Sequence, residues 1–306
     1  MMIGKICGTG SSIPVKIMDN DDLSNMVDTN DAWIRERTGV EKRHIAESES
    51  TVSMAVEAGR QALAQTGVRP EELDMIVVST MSPDAVLPCT ACEVQKAIGA
   101  EGAVCFDLQA ACTGFIFAYN TAQAYIQSNM CRTVLLIGSE RLSRLVDWTD
   151  RGTCILFGDG AGAAVLKAAE GRAYLPVSHS DGKKGEALTC DRYIHMDGRA
   201  VFQFAVTRVP EVIREVLTKN ELLMDDIDYF VLHQANRRIV EAVAKRLRQP
   251  IEKFPMNLQE YGNTSSASIP ILLDEMNRSG KLKKGQKLVV AGFGAGLSWG
   301  ASIVEW

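Results

Sequence analysis

The sequence predicts an α/β protein built from two similar halves. Three observations carry this reading. Short apolar, β-branched runs alternate with helical patterns along the chain. An acidic–apolar octet from the first half recurs in the second. Each half closes on a buried run, a glycine-rich turn and a last apolar run.

In chain order, residues 52–65 read as a helix and Ile76-Val77-Val78 as a buried strand. Residues 103–108 read as a further buried strand and 113–128 as a helix, followed by the strand Val134-Leu135-Leu136-Ile137. The second half repeats the order: a helix over 209–219, the strand Phe230-Val231-Leu232, a helix over 238–248 and the strand Leu288-Val289-Val290. Such alternation argues for largely parallel sheets. The octet Glu71-Glu72-Leu73-Asp74-Met75-Ile76-Val77-Val78 matches Asp225-Asp226-Ile227-Asp228-Tyr229-Phe230-Val231-Leu232 in polarity. Residues 158–166 follow the first closing strand as 296–304 follow the second. Any two α/β units share some of this pattern, but two fused copies account for it better. The halves divide as 1–170 and 171–306.

The chain has 306 residues, 46% hydrophobic and 23% charged, with a net charge of −5. That length buries a large core, and the charge gives no sign of nucleic-acid binding. No apolar run reaches the roughly 18 residues of a membrane span, and Met1–Gly10 lacks a secretory pattern. The expected compartment is the cytosol. The eight cysteines are then expected as free thiols. Cys89-x-x-Cys92 has no second pair at zinc spacing and no nearby histidine, so it reads as structural thiols, and no metal is expected.

Gln109-Ala110-Ala111-Cys112-Thr113-Gly114 carries a strand into a helix. Cys112 would stand at a helix N-terminus, where unpaired N–H groups and the dipole lower a thiol pKa. The alternative is a small buried hydrophobe. His233, one of four histidines, ends a buried strand in His233-Gln234-Ala235-Asn236, the position where open α/β sheets place their chemistry. Asn263 sits in the turn Tyr261-Gly262-Asn263-Thr264-Ser265-Ser266-Ala267; the alternative is a helix cap. His44, His179 and His195 lack comparable context.

Ala111-Cys112-Thr113-Gly114-Phe115, His233-Gln234-Ala235-Asn236 and Gly262-Asn263-Thr264-Ser265 resemble, in that order, the three active-site motifs of β-ketoacyl-acyl-carrier-protein synthase III. The resemblance extends through Gly8-Thr9-Gly10, Trp33 to Gly39, Asp147 to Thr153, Phe157 to Ala163 and Gly292 to Gly300. It implies the thiolase fold, with two duplicated βαβαβαββ halves layered α-β-α-β-α. It also implies a homodimer, an acyl-CoA primer (acetyl-CoA in the usual case) and malonyl-acyl-carrier protein as extender, with no separate cofactor.

By this resemblance Cys112, His233 and Asn263 form the catalytic set, and the N–H groups of Cys112 and Ala295 form an oxyanion hole. Relatives often carry glycine at position 295, whose backbone angles need not suit alanine. Trp33 and Arg151 would flank the CoA adenine, with Arg37 near its phosphates. Arg237, Arg238, Lys245, Arg246 and Arg248 make one helix basic; such a run is often a solvated face, and here it is the expected dock for an acidic carrier protein. Leu87 falls where some relatives use phenylalanine to limit the primer pocket, and residues 180–195 form a shorter stretch than in many relatives. A nucleotide-binding oxidoreductase is the rival from another class, but Gly8-Thr9-Gly10 lacks its third glycine, position 13 being Ile13. A non-catalytic scaffold conflicts with the intact Cys112, His233 and Asn263. A condensing enzyme of quinolone or polyketide priming would share all three.

Overall fold

The short apolar runs become strands whose successive side chains enter different cores, which is why they lack simple alternation. The computed structural model describes residues 1–306. The first main sheet comprises β1 (Met2–Ser12), β2 (Met75–Ser79), β3 (Val104–Leu108), β4 (Thr133–Glu140) and β5 (Gly160–Glu170). Its spatial order is β1-β5-β4-β2-β3. The second comprises β6 (Val177–Ser180), β7 (Tyr229–Leu232), β8 (Lys287–Gly294) and β9 (Ser298–Glu305), in the order β7-β8-β9-β6.

The helices on these sheets are α1 (Thr51–Thr66), α2 (Thr90–Ile98), α3 (Gly114–Gln127), α4 (Gly198–Lys219), α5 (Arg237–Leu247) and α6 (Ser268–Arg278). Met54 and Ala58 of α1 pack with Ile76, Val78, Leu135 and Ile137 on the outer face of the first sheet. Phe115 and Ile116 of α3 and Ile269 and Leu272 of α6 fill the space between the sheets, meeting Val77 and Leu136 on one side and Val231 and Val290 on the other. Val209 and Ile213 of α4 and Val240 and Val243 of α5 cover Phe230, Leu232 and Val289. The layers therefore run α-β-α-β-α. Each fully buried aliphatic side chain contributes roughly 1.5–3 kcal/mol.

The recurring octet has a structural cause. Asp74 and Asp228 each donate a backbone N–H to the residue opening the adjacent strand, Thr133 at 3.0 Å and Lys287 at 2.9 Å. Their carboxylates accept the N–H of those same residues, at 2.9 Å and 2.8 Å. The acidic position thus latches β2 beside β4 and β7 beside β8, both pairs parallel.

Three expectations are corrected. The sheets are mixed rather than largely parallel, because β8 and β9 are joined by a tight turn that reverses the chain and β5 runs antiparallel to both β1 and β4. The helix expected over 209–219 starts at Gly198, where the Asp197 carboxylate caps the N–H groups of Arg199 and Ala200. The strand expected as buried at 103–108 lies at the sheet edge, with Val104 61% exposed and Cys105 to Leu108 half-buried. No helix is long and apolar enough to cross a membrane.

Candidate active site

Cys112 stands where β3 gives way to α3, in the short turn Ala111–Thr113. Ala111 enters it with φ +45°, a left-handed value that costs a non-glycine residue about 1 kcal/mol. The turn between β8 and β9 presses against this point. A Cβ at Gly294 would lie 2.9 Å from the Cys112 nitrogen, so only glycine permits the approach. Thr113 Oγ1 and Ser298 Oγ, 2.7 Å apart, tie the two segments together. Ala295 follows Gly294, and its N–H has no intramolecular acceptor. Its φ is not positive, so alanine fits here and the left-handed position falls on Gly296 at φ +137°.

His233 ends β7, its N–H bonded to the Ala291 carbonyl at 2.9 Å. Its Nδ1 lies 2.7 Å from Ser268 Oγ, and that oxygen also accepts the Gln234 N–H at 3.3 Å. The Ser268 proton has no other acceptor, which assigns Nδ1 as acceptor and leaves the ring proton on Nε2. Burial pushes the His233 pKa down to about 3, so the ring is neutral near pH 7.

Asn263 is held in its turn by backbone bonds to Leu156 and Gly158, at 2.8 and 3.1 Å. Its Oδ1 accepts the Ser265 N–H at 2.9 Å, so its NH₂ group remains to donate. Cys112, His233 and Asn263 are 8%, 3% and 7% exposed and line one cavity of about 540 Å³. Phe157, Leu142, Leu156 and Met196 supply much of its apolar wall. Residues 188–190 and 194–196 pair as a small ribbon and complete that wall.

The expected low thiol pKa is corrected. Burial dominates the helix terminus and pushes the Cys112 thiol up to about 12, with the nearby Glu140 carboxyl adding to the rise. Ser265 opposes this. Its hydroxyl lies beside the Cys112 sulfur and favours the anion. Ser265 is buried, has no regular hydrogen-bond partner and adopts φ +48°. Glu140 is itself fully buried and accepts bonds from Thr80, Met81, Ser82 and Ser266.

Ser265, Ser268 and Glu140 escaped the sequence reading. Serines crowded after Asn263, and an acid ending an apolar strand, were the available signals.

Trp33, in the helix Asp31–Thr38, has both the Arg37 and Arg151 guanidinium groups 4.7 Å from its ring centroid. Arg37 also lines the cavity. On α5, Arg237, Arg238, Lys245 and Arg246 are exposed, and Arg238 reaches the cavity beside Phe202. Arg237 is drawn toward Glu241 of its own helix, 3.6 Å away. Leu87 is 82% exposed and does not line this chain's own cavity.

Residues 106–182 match the family profile described as 3-Oxoacyl-[acyl-carrier-protein (ACP)] synthase III, and residues 217–306 match its C-terminal counterpart. A Beta-ketoacyl-[acyl-carrier-protein] synthase III of Clostridium novyi (strain NT) is 46% identical, covering 99% of this chain and 98% of that one. The crystal structure of 3-oxoacyl-[acyl-carrier-protein] synthase III from Aquifex aeolicus VF5 superposes with a TM-score of 0.97 at 44% identity, covering 99% and 100%. The priming β-ketosynthase of the R1128 polyketide biosynthetic pathway gives 0.96 at 36% identity, covering 99% and 96%.

The Cys112 anion is the form that alkylating reagents attack. With the thiol pKa near 12, its alkylation by iodoacetamide should rise about tenfold per pH unit from about pH 7 to 10, without a plateau. Ser265→Ala should lower the rate throughout that range. A plateau near pH 8, or an unchanged rate in the variant, would contradict these assignments.

Proposed function

The chain belongs to the 3-oxoacyl-[acyl-carrier-protein] synthase III family, and we propose that it carries out the condensation that initiates fatty acid synthesis. It is a condensing acyltransferase with the thiolase fold. An acyl-CoA, acetyl-CoA in the usual case, is joined to malonyl-acyl-carrier protein to give 3-oxoacyl-acyl-carrier protein. CO₂ and CoA leave, and no separate cofactor takes part. The convergence of Cys112, His233 and Asn263 in one cavity carries this reading. Quinolone or polyketide priming is less favoured, since relatives named synthase III reach 46% identity and the polyketide enzyme 36%.

Cys112 Sγ gives up its proton and attacks the primer carbonyl as an anion; the C–S bond to CoA breaks, and the departing CoA sulfur takes up a proton, leaving an acyl-enzyme and free CoA. The tetrahedral oxyanion accepts the N–H groups of Cys112 and Ala295. Malonyl-acyl-carrier protein then enters, and its terminal C–C bond breaks to release CO₂. The electron pair passes into the thioester, whose oxygen accepts hydrogen bonds from His233 Nε2 and the Asn263 amide. A neutral imidazole suits this role, since its proton stays in place to be donated. The enolate carbon attacks the acyl group, the C–S bond to Cys112 breaks, and the released thiolate takes a proton from solvent to restore the resting thiol.

Trp33, Arg37 and Arg151 offer an aromatic face and two cations where a nucleotide carrying phosphates would lie. The exposed cations of α5 lie beside that mouth and suit an acidic carrier protein. The bare edge of β3 supports a homodimer: it leaves N–H and C=O groups unpaired beside the exposed Val104, and a second copy of the strand satisfies them. In this reading the protein works in the cytosol, and its halves divide as 1–170 and 171–306, at the end of β5.

Losing one preorganised donor typically costs about 10²–10³ in rate. His233→Ala and Asn263→Ala should each slow decarboxylation of malonyl-acyl-carrier protein by that factor; an unmodified rate in Asn263→Ala would sink its role. For docking, Lys245→Glu with Arg246→Glu avoids the cavity-lining Arg238. This pair should raise the KM for the carrier substrate severalfold and leave that for acyl-CoA unchanged, whereas equal effects on both would count against docking.

A further inference from the structure

We infer that Cys89 and Cys92 form a reversible disulfide within the chain, a redox modification site separate from the acyl-transfer cavity. Cys89 is the N-cap of α2, with extended backbone at φ −66° and ψ 155°. Cys92 is the third residue of the helix. N-cap and N3 side chains face each other across a first helical turn, the geometry that also joins the members of a capping box. Here it brings the two sulfurs to 3.4 Å. Bond formation shortens that contact to about 2.05 Å, within a loop the helix has already closed.

The helix end does not depend on these thiols. Cys89 makes no side-chain capping bond. The N–H groups of Thr90 and Ala91 instead donate to the two oxygens of Asp107, each at 2.8 Å. Oxidation therefore strips no cap from α2. The same Asp107 argues against a metal. A third thiol, Cys105, stands by the pair on β3, but both Asp107 oxygens are engaged and no fourth protein ligand completes a tetrahedral set.

Redox poise follows from the surroundings. The neighbouring Cys89 sulfur, burial and the Asp107 and Glu93 carboxylates all hold the Cys92 pKa up. A dithiol whose thiolate is disfavoured gains little from staying reduced, so its disulfide is a weak oxidant. Such a pair takes up oxidising equivalents and keeps them until a strong dithiol reductant arrives. Both thiols are half-buried at the foot of the exposed 84–88 segment, whereas Cys112 is buried.

The oxidant is a low-molecular-weight disulfide, RSSR. One protein thiol, as its anion, attacks a sulfur of RSSR and expels RS⁻, giving a mixed disulfide. The second protein sulfur then attacks the first and expels the other RS⁻. The two cysteines lose two protons and two electrons together, and RSSR becomes two RSH.

The full chain is incubated with oxidised glutathione, quenched in acid, alkylated and digested with trypsin. The peptide ending at Lys96 carries Cys89 and Cys92 and excludes Cys105. We expect this peptide to lose both alkylation sites together, to weigh two hydrogens less, and to recover both sites after dithiothreitol. In Cys89→Ser, where serine is a good N-cap, Cys92 should no longer be protected by an internal bond. Full alkylation of both cysteines after oxidation would overturn the inference. So would a Cys92–Cys105 link, or a bond between two chains.

Discussion

The site depends on a contact between two backbones. The turn joining β8 to β9 meets the start of α3 at Gly294, close enough that any side chain there would collide with the Cys112 nitrogen. Cys112 follows the first sheet, and the turn belongs to the second. The contact therefore joins the halves and sets the Ala295 N–H near the Cys112 N–H. Thr113 and Ser298 fix its register. On the far side, Asn263 is pinned to the 156–158 segment of the first half. Neither half contains the site alone.

Burial then decides the resting charges. Desolvation opposes whichever form of a group is charged, so it drives the Cys112 thiol and the His233 ring toward neutrality from opposite directions. The resting cavity thus presents a protonated thiol and a neutral imidazole, with the Asn263 NH₂ group and the Ala295 N–H free to donate. Free donors held in place by the fold need no reorganisation to meet a negative charge. Glu140 serves a different purpose. Its carboxylate gathers the 80–82 segment and Ser266 around one buried point, fixing the loop that bears Asn263.

Much of this was legible in the sequence because it is local. A cysteine among small residues after a strand, a histidine ending a strand and an asparagine after glycine are visible in single short windows. The strands were legible for the same reason, as short β-branched runs, and the octet gave the duplication because Asp74 and Asp228 perform the same latch. What stayed hidden depends on distant neighbours. Ser265 and Ser268 are small polar residues whose roles exist only once Cys112 and His233 arrive beside them. The edge position of β3, the exposure of Leu87 and the victory of burial over the helix terminus at Cys112 are likewise tertiary facts. The start of α4 was obscured by Pro210 within the helix, since proline ordinarily reads as an interruption.

The central claim is that the sulfur of Cys112 accepts an acyl group from a CoA thioester. Intact-protein mass spectrometry after incubation with a panel of acyl-CoAs measures this directly. The account predicts a mass gain of one acyl group with at least one donor, mapped by peptide analysis to Cys112 and lost in Cys112→Ala. Folded protein that gains no acyl group from any donor, or gains it at another residue, would contradict it.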